Sequence, residues 1–219
     1  MKNALFAPLM LLSAAIFAAA PFLILNAPYE STMGLVQKIF YFHVPAGMTM
    51  FLAAFVSGIG SAWYLFSRKP WADRLAVAGA ELTVVLGIIV MVTGPLWARK
   101  AWGVWWQWDA RLTSTLVMWM IFNAYLLLRR YGGLGSDRLA AAVALFGMAN
   151  VPFVYWSVNV WRTLHPKTSV VPTLPSGMRG LFWMCVLGFT LVSALLLMLR
   201  NELEKRRQSL DALYLASED

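Results

Sequence analysis

"LAVAGAELTVVLGIIVMVTGPLW", from Leu75 to Trp97, holds a single charged residue, Glu81, in 23 positions. A helix rises 1.5 Å per residue and needs about 20 predominantly apolar residues to cross the hydrocarbon core, so this run can span a membrane. A strand does not suit it, because an open sheet in lipid leaves backbone N–H and C=O groups unpaired. Five further runs of the same character stand at 5–25, 44–66, 112–128, 139–160 and 181–199.

Composition points the same way. Of 219 residues, 60% are hydrophobic and 13% charged, against about 45–50% and 25% in soluble domains. The connections are short. The expected architecture is therefore all-α, one six-span membrane domain over 1–219. Within it lie a tryptophan-rich segment at 98–111, between spans three and four, and a cytoplasmic tail at 200–219. The first run resembles a secretion signal in its Lys2, its apolar stretch and its three alanines at 18–20. The run continues past Pro21 to Leu25, a length that favours a retained helix.

Lys and Arg set the orientation. Six spans place eleven of the 18 basic residues on one side, among them Lys2, Arg68, Arg129 and Arg206, and seven on the other. The positive-inside bias then puts both termini in the cytoplasm. The outer side holds Lys38, Arg99, Lys100, Arg111, Arg162, Lys167 and Arg179, with Glu30 and Asp109 to offset them. Such a basic face suits an anionic ligand or an acidic partner, or contact with lipid headgroups.

On that outer side runs "WGVWWQWD", Trp102 to Asp109, with four tryptophans in eight residues. Tryptophan is enriched at membrane–water interfaces, which is one reason for the cluster. The chain's two histidines share this side. His43, in "FYFHVPAG", is expected to end the first outer loop, just before the second span. His165, in "WRTLHPKT", follows the fifth, and Pro45 and Pro166 restrict the adjoining backbone. Two histidines do not complete a structural zinc site, and Cys185 is the sole cysteine, so no CxxC or CxxCH motif exists. Haem iron needs only one or two axial protein ligands. Haem is also flat and apolar, with carboxylates at one edge, matching indoles, two imidazoles and a basic rim.

If 102–109 is helical, Trp102, Trp105, Trp106 and Asp109 share one face, with Trp108 to one side. Gly103 and the "ARK" at 98–100 break the third span in this reading, giving a short interfacial helix as the stacking platform. Asp109 is expected to pair with Arg111 or to cap the fourth span. No P-loop or nucleophile constellation appears, so no enzymatic activity is assigned.

"WGVWWQWDARLTS" resembles the WWD signature of the haem-handling proteins of cytochrome c biogenesis, and its "WDARLTS" is similar to the CcmC family within them. "HVPAG" and "SVNVWRTLHP" also resemble CcmC segments around two essential histidines. The likeness runs from about Ile39 to Arg207; Val104 and Gln107 vary within the signature, and the tail beyond Arg207 matches nothing. The resemblance implies that His43 and His165 are axial ligands to non-covalent, transient haem b. It places Trp102, Gly103, Trp105, Trp106, Trp108, Asp109, Arg111 and Arg162 at the haem site. It implies a bacterial inner-membrane location and delivery to a CcmE-like haem chaperone, alongside a CcmA/CcmB-like ABC transporter and a CcmD-like small subunit. Membrane lipid is a further expected partner, and nucleic acid is not. Two other readings are an electron-transfer membrane cytochrome and a haem transporter. For the latter, Glu81, Asn150 and Asn159 are candidate path residues, while Pro95 and Pro152 read as kinks.

Overall fold

A computed structural model describes residues 4–29 and 33–218; Lys2 and Glu30 fall outside the described residues. Among the described residues, six helices are long and apolar enough to cross a membrane. They are α1 (Phe6–Asn26), α2 (Phe40–Ser67), α3 (Pro70–Trp102), α4 (Ala110–Tyr131), α5 (Ser136–Val160) and α6 (Ser176–Glu218). The expected all-α, six-span protein is the observed one. The tail is not separate from the last span, since α6 runs on through it.

α2 sits at the centre and packs against α3, α5 and α6, while α1 lies along α6 and α4 along α5. In lipid, helix association gains little from the hydrophobic effect and depends on close packing, which small residues permit. The α2–α3 seam is built that way. A Cβ on Gly60 would stand 2.9 Å from the Ala76 nitrogen, and one on Gly79 would stand 2.6 Å from that of Ser57. The two backbones therefore touch, with Ala53, Ala54, Ala76 and Ala80 buried along the same seam. A second cluster joins α1, α2 and α6, where Phe40 stacks on Phe182 at 5.0 Å between ring centroids. This cluster anchors the first turn of α2, three residues before His43.

At the end of the bundle remote from the tryptophan loop, charges are paired across helices. Asp73 on α3 accepts from Arg129 on α4 at 2.6 Å. Glu81 on α3 takes both arms of Arg200 on α6, one of them at 2.6 Å. Pairing of this kind is what keeps ionised groups tolerable in a low-dielectric setting.

Two boundaries differ from the sequence expectation. His43 does not end a loop: α2 begins at Phe40, directly after a short 3-10 helix at Leu35–Ile39, so His43 is already helical. Nor does the "ARK" segment break the third span. α3 continues through it to Trp102 and ends where Gly103 turns left-handed, at φ 77°. A residue without Cβ adopts that conformation at no steric penalty.

Candidate functional site

The helix expected over 102–109 does not form. Gly103 stops α3 and Asp109 is the N-cap of α4, so the residues between them run as an irregular loop. The single face proposed for Trp102, Trp105, Trp106 and Asp109 is therefore absent. Trp102 belongs to α3 and packs edge-on against Trp97 at 5.3 Å. Trp106 is half-buried and meets Trp108 edge-on at 5.6 Å. Trp105 and Trp108 expose 55% and 75% of their surface, and the Arg99 guanidinium lies over the Trp105 ring at 5.9 Å from its centroid. The Trp106 Nε1–H is buried without a hydrogen-bond partner among the described residues. An orphaned buried donor is uncommon and marks a place where an acceptor belongs.

Each of the two imidazoles has its Nδ1 held by an oxygen. On α2, His43 Nδ1 lies 2.9 Å from Thr93 Oγ1 on α3. The Thr93 hydroxyl already donates its own proton to the Ile89 carbonyl at 2.6 Å. It can therefore only accept from His43, which puts the imidazole proton on Nδ1 and the lone pair on Nε2. Beyond α5, His165 Nδ1 lies 2.9 Å from the Pro166 carbonyl oxygen. A carbonyl only accepts, so this ring too carries its proton on Nδ1 and leaves Nε2 as a ligand. Fixing the second ring nitrogen in this way is how metal-binding histidines are usually held.

His165 and Arg111 both lie within electrostatic reach of His43. Burial first, and the Arg111 guanidinium second, hold the His165 imidazole down at about 4, against opposing effects of the Pro166 carbonyl and Asp109. At neutral pH His165 is uncharged, the form that coordinates a metal. Among the described residues no group of three or more His, Cys, Asp or Glu could hold a bare metal ion. Two neutral imidazoles, open indoles and one orphaned N–H fit haem, whose ring supplies the remaining iron ligands.

Asp109 caps α4, its Oδ1 accepting from the Leu112 N–H at 2.8 Å. Of the two roles expected for it, the cap is the one observed, and no ion pair with Arg111 forms among the described residues. Its Oδ2 instead accepts from the Thr163 hydroxyl on the His165 loop. Arg111 donates to the Val154 and Tyr155 carbonyls of α5 at 2.5 and 3.2 Å and lies over Phe51.

The basic rim is thinner than its composition suggests, because several of its cations bind main-chain carbonyls. Lys38 donates to Leu25, Arg99 to Gly103, and Arg179 to Leu174. Arg162 and Lys167 remain exposed. The candidate path residues have partners too. Glu81 is held by Arg200, Asn150 donates to the Ser114 carbonyl at 3.0 Å, and Asn159 donates to the Thr168 hydroxyl at 3.1 Å.

Sequence reasoning missed Thr93, Gly94 and Thr163. Thr93 lies 50 positions from His43, and its signal was slight: a hydroxyl in an apolar run, two residues before Pro95. A Cβ on Gly94 would meet His43 Cε1 at 3.3 Å, so the ring lies against that backbone. Thr163 had the clearer signal, a threonine two residues ahead of a candidate ligand.

Comparison with known proteins shows the family of the chain. The profile of the family described as CcmC, Heme exporter protein C, matches residues 1–214. Heme exporter protein C of Bradyrhizobium diazoefficiens is 36% identical over 190 residues, covering 83% of this chain and 72% of the relative. Its namesake in Escherichia coli K12 is 34% identical over 200 residues, covering 83% and 77%. An Arabidopsis thaliana protein named putative cytochrome c biosynthesis ccmC-like mitochondrial protein is 29% identical over 184 residues, covering 78% and 70%. The chain belongs to the CcmC, Heme exporter protein C, family.

Proposed function

We propose that this chain binds haem non-covalently between His43 and His165 at the outer face of a bacterial inner membrane. It then presents that haem to a CcmE-like chaperone during cytochrome c maturation. The observation that carries the reading is the pair of imidazoles within electrostatic reach of each other, each with Nδ1–H held by an oxygen and Nε2 left to coordinate. The names of the relatives support the haem-delivery role. Haem would supply the iron and the flat apolar ring; the chain's residues supply position and environment.

His43 is the rigid ligand, on a helix and backed by Gly94 and Thr93. His165 is the loop-borne one, on the fifteen residues between α5 and α6. Trp105 and Trp108 offer faces for stacking, where each aromatic contact contributes on the order of 1 kcal/mol beyond burial. The Trp106 N–H and the exposed Arg162 and Lys167 would receive the haem carboxylates. Arg111, half-buried against α5, keeps a positive charge beside His165 and so favours its neutral form. The termini are cytoplasmic in this reading. The companions are a CcmA/CcmB-like transporter and a CcmD-like subunit, and no catalytic step is assigned to the chain.

The test is co-expression with an acceptor chaperone, followed by haem staining of the acceptor and acid–solvent extraction of this protein. Wild type should yield covalently loaded acceptor. His43→Ala and His165→Ala should yield little, with normal amounts of protein in the membrane. Full acceptor loading by both variants would refute the proposal.

A further inference from the structure

The His165 loop leaves α5 at Trp161, and only a few hydrogen bonds hold its ligand in place. One set forms a chain. The Thr163 hydroxyl donates to Asp109 Oδ2, and Thr163 Oγ1 itself accepts from the His165 backbone N–H at 3.0 Å. The other oxygen of Asp109 caps α4 through Leu112 at 2.8 Å. A single threonine, 54 positions from the aspartate that ends the tryptophan loop, thus connects that aspartate to the backbone of His165.

We infer that Thr163 is a positioning residue for His165, transmitting the hold of Asp109 on α4 to the imidazole. The inference rests on the reading of His165 as an axial ligand. Both arms of the Thr163 hydroxyl are needed. The proton goes to a carboxylate, a charge-assisted bond stronger than a neutral one. The lone pair receives the N–H that sets the height of His165 over the loop. A second tie, between Asn159 and Thr168, pins the loop on the far side of His165 but touches neither Asp109 nor the ring. The Asp109 carboxylate consequently acts on the ligand without touching it. Loosening the Thr163 contact frees His165 while His43 stays in place on its helix.

Substitution separates these roles. Thr163→Val keeps the β-branched shape and removes both hydrogen bonds, whereas Thr163→Ser keeps the hydroxyl. Full-length protein in detergent, loaded with hemin, would be followed by its low-spin absorption and by the rate of haem loss to excess apomyoglobin. Thr163→Val is expected to lose haem about tenfold faster, the factor that 1.4 kcal/mol represents, and to show a partly high-spin spectrum that added imidazole restores. Thr163→Ser should release haem at nearly the wild-type rate.

The same measurement on His165→Ala and on the Thr163→Val/His165→Ala double variant completes a cycle. If Thr163 acts through His165, the valine adds nothing once the histidine is gone. An equal acceleration in both backgrounds would overturn the inference, since a valine that merely disturbed folding would act in both. So would a wild-type release rate for Thr163→Val while His165→Ala is altered. A wild-type spectrum for His165→Ala would instead remove the axial reading itself, whatever Thr163 does.

Discussion

Removing the Thr93 hydroxyl should weaken haem binding without touching a ligand. Thr93→Val preserves the packing of α3 while leaving His43 Nδ1–H without the acceptor it now has at 2.9 Å. An unsatisfied donor in a half-buried site costs about 1–3 kcal/mol. At 1.4 kcal/mol per factor of ten, that is roughly 5- to 150-fold in affinity. Loss of the hydrogen-bond partner of a ligating histidine typically costs about 10–100-fold, which falls inside the same range. There is a structural reason to expect the full effect. Once the acceptor is gone nothing fixes the tautomer, and every molecule with its proton on Nε2 is unable to bind, so apparent affinity falls with the competent fraction. The assay is a hemin titration of purified Thr93→Val and Thr93→Ser, with electron paramagnetic resonance on the loaded proteins. Valine should bind about 10–100-fold more weakly with altered g values, and serine close to wild type. A valine affinity within about twofold of wild type would refute the tautomer argument.

Gly94→Ala places a methyl group 3.3 Å from His43 Cε1, so the ring must give by a few tenths of an ångström; haem affinity should fall severalfold while membrane levels stay normal. Glu81→Gln breaks a pair whose side chains are about one-third exposed. It should lower the melting stability by about 1 kcal/mol or less and leave haem delivery intact; loss of delivery would return Glu81 to a functional path. A pH titration of the low-spin spectrum tests His165. Its folded value of about 4 lies below the unfolded value of about 6.5, so the folded loop binds its proton more weakly than the unfolded chain. Stability of the loop is then full above about pH 6.5 and declines as pH falls toward about 4. The low-spin fraction should hold through neutral pH and be lost near the lower value, whereas a midpoint at about 6.5 would show an exposed imidazole.

The spans were legible because length and apolarity in lipid leave the chain few alternatives. The Leu75–Trp97 run lies wholly inside α3. The ends of the helices were not, because tertiary contacts place them. α2 starts at Phe40, where that ring stacks on Phe182 of α6, a partner no local pattern reveals. The tryptophan segment misled for a different reason. Its spacing of three and four matches a helical face, yet the left-handed Gly103 and the Asp109 cap exclude helix between them. Both candidate ligands were visible as the chain's only histidines. The groups that orient them, Thr93, Gly94 and Thr163, became visible only when distant segments met.

The central claim is that two imidazoles hold one haem, and the spectrum of the loaded protein tests it most directly. Purified wild type with bound haem should be low-spin, with the absorption and electron paramagnetic resonance of bis-histidine iron. His43→Ala and His165→Ala should each lose that signature, and added imidazole should restore it by filling the vacated position. Low-spin spectra indistinguishable from wild type in both variants would contradict the account.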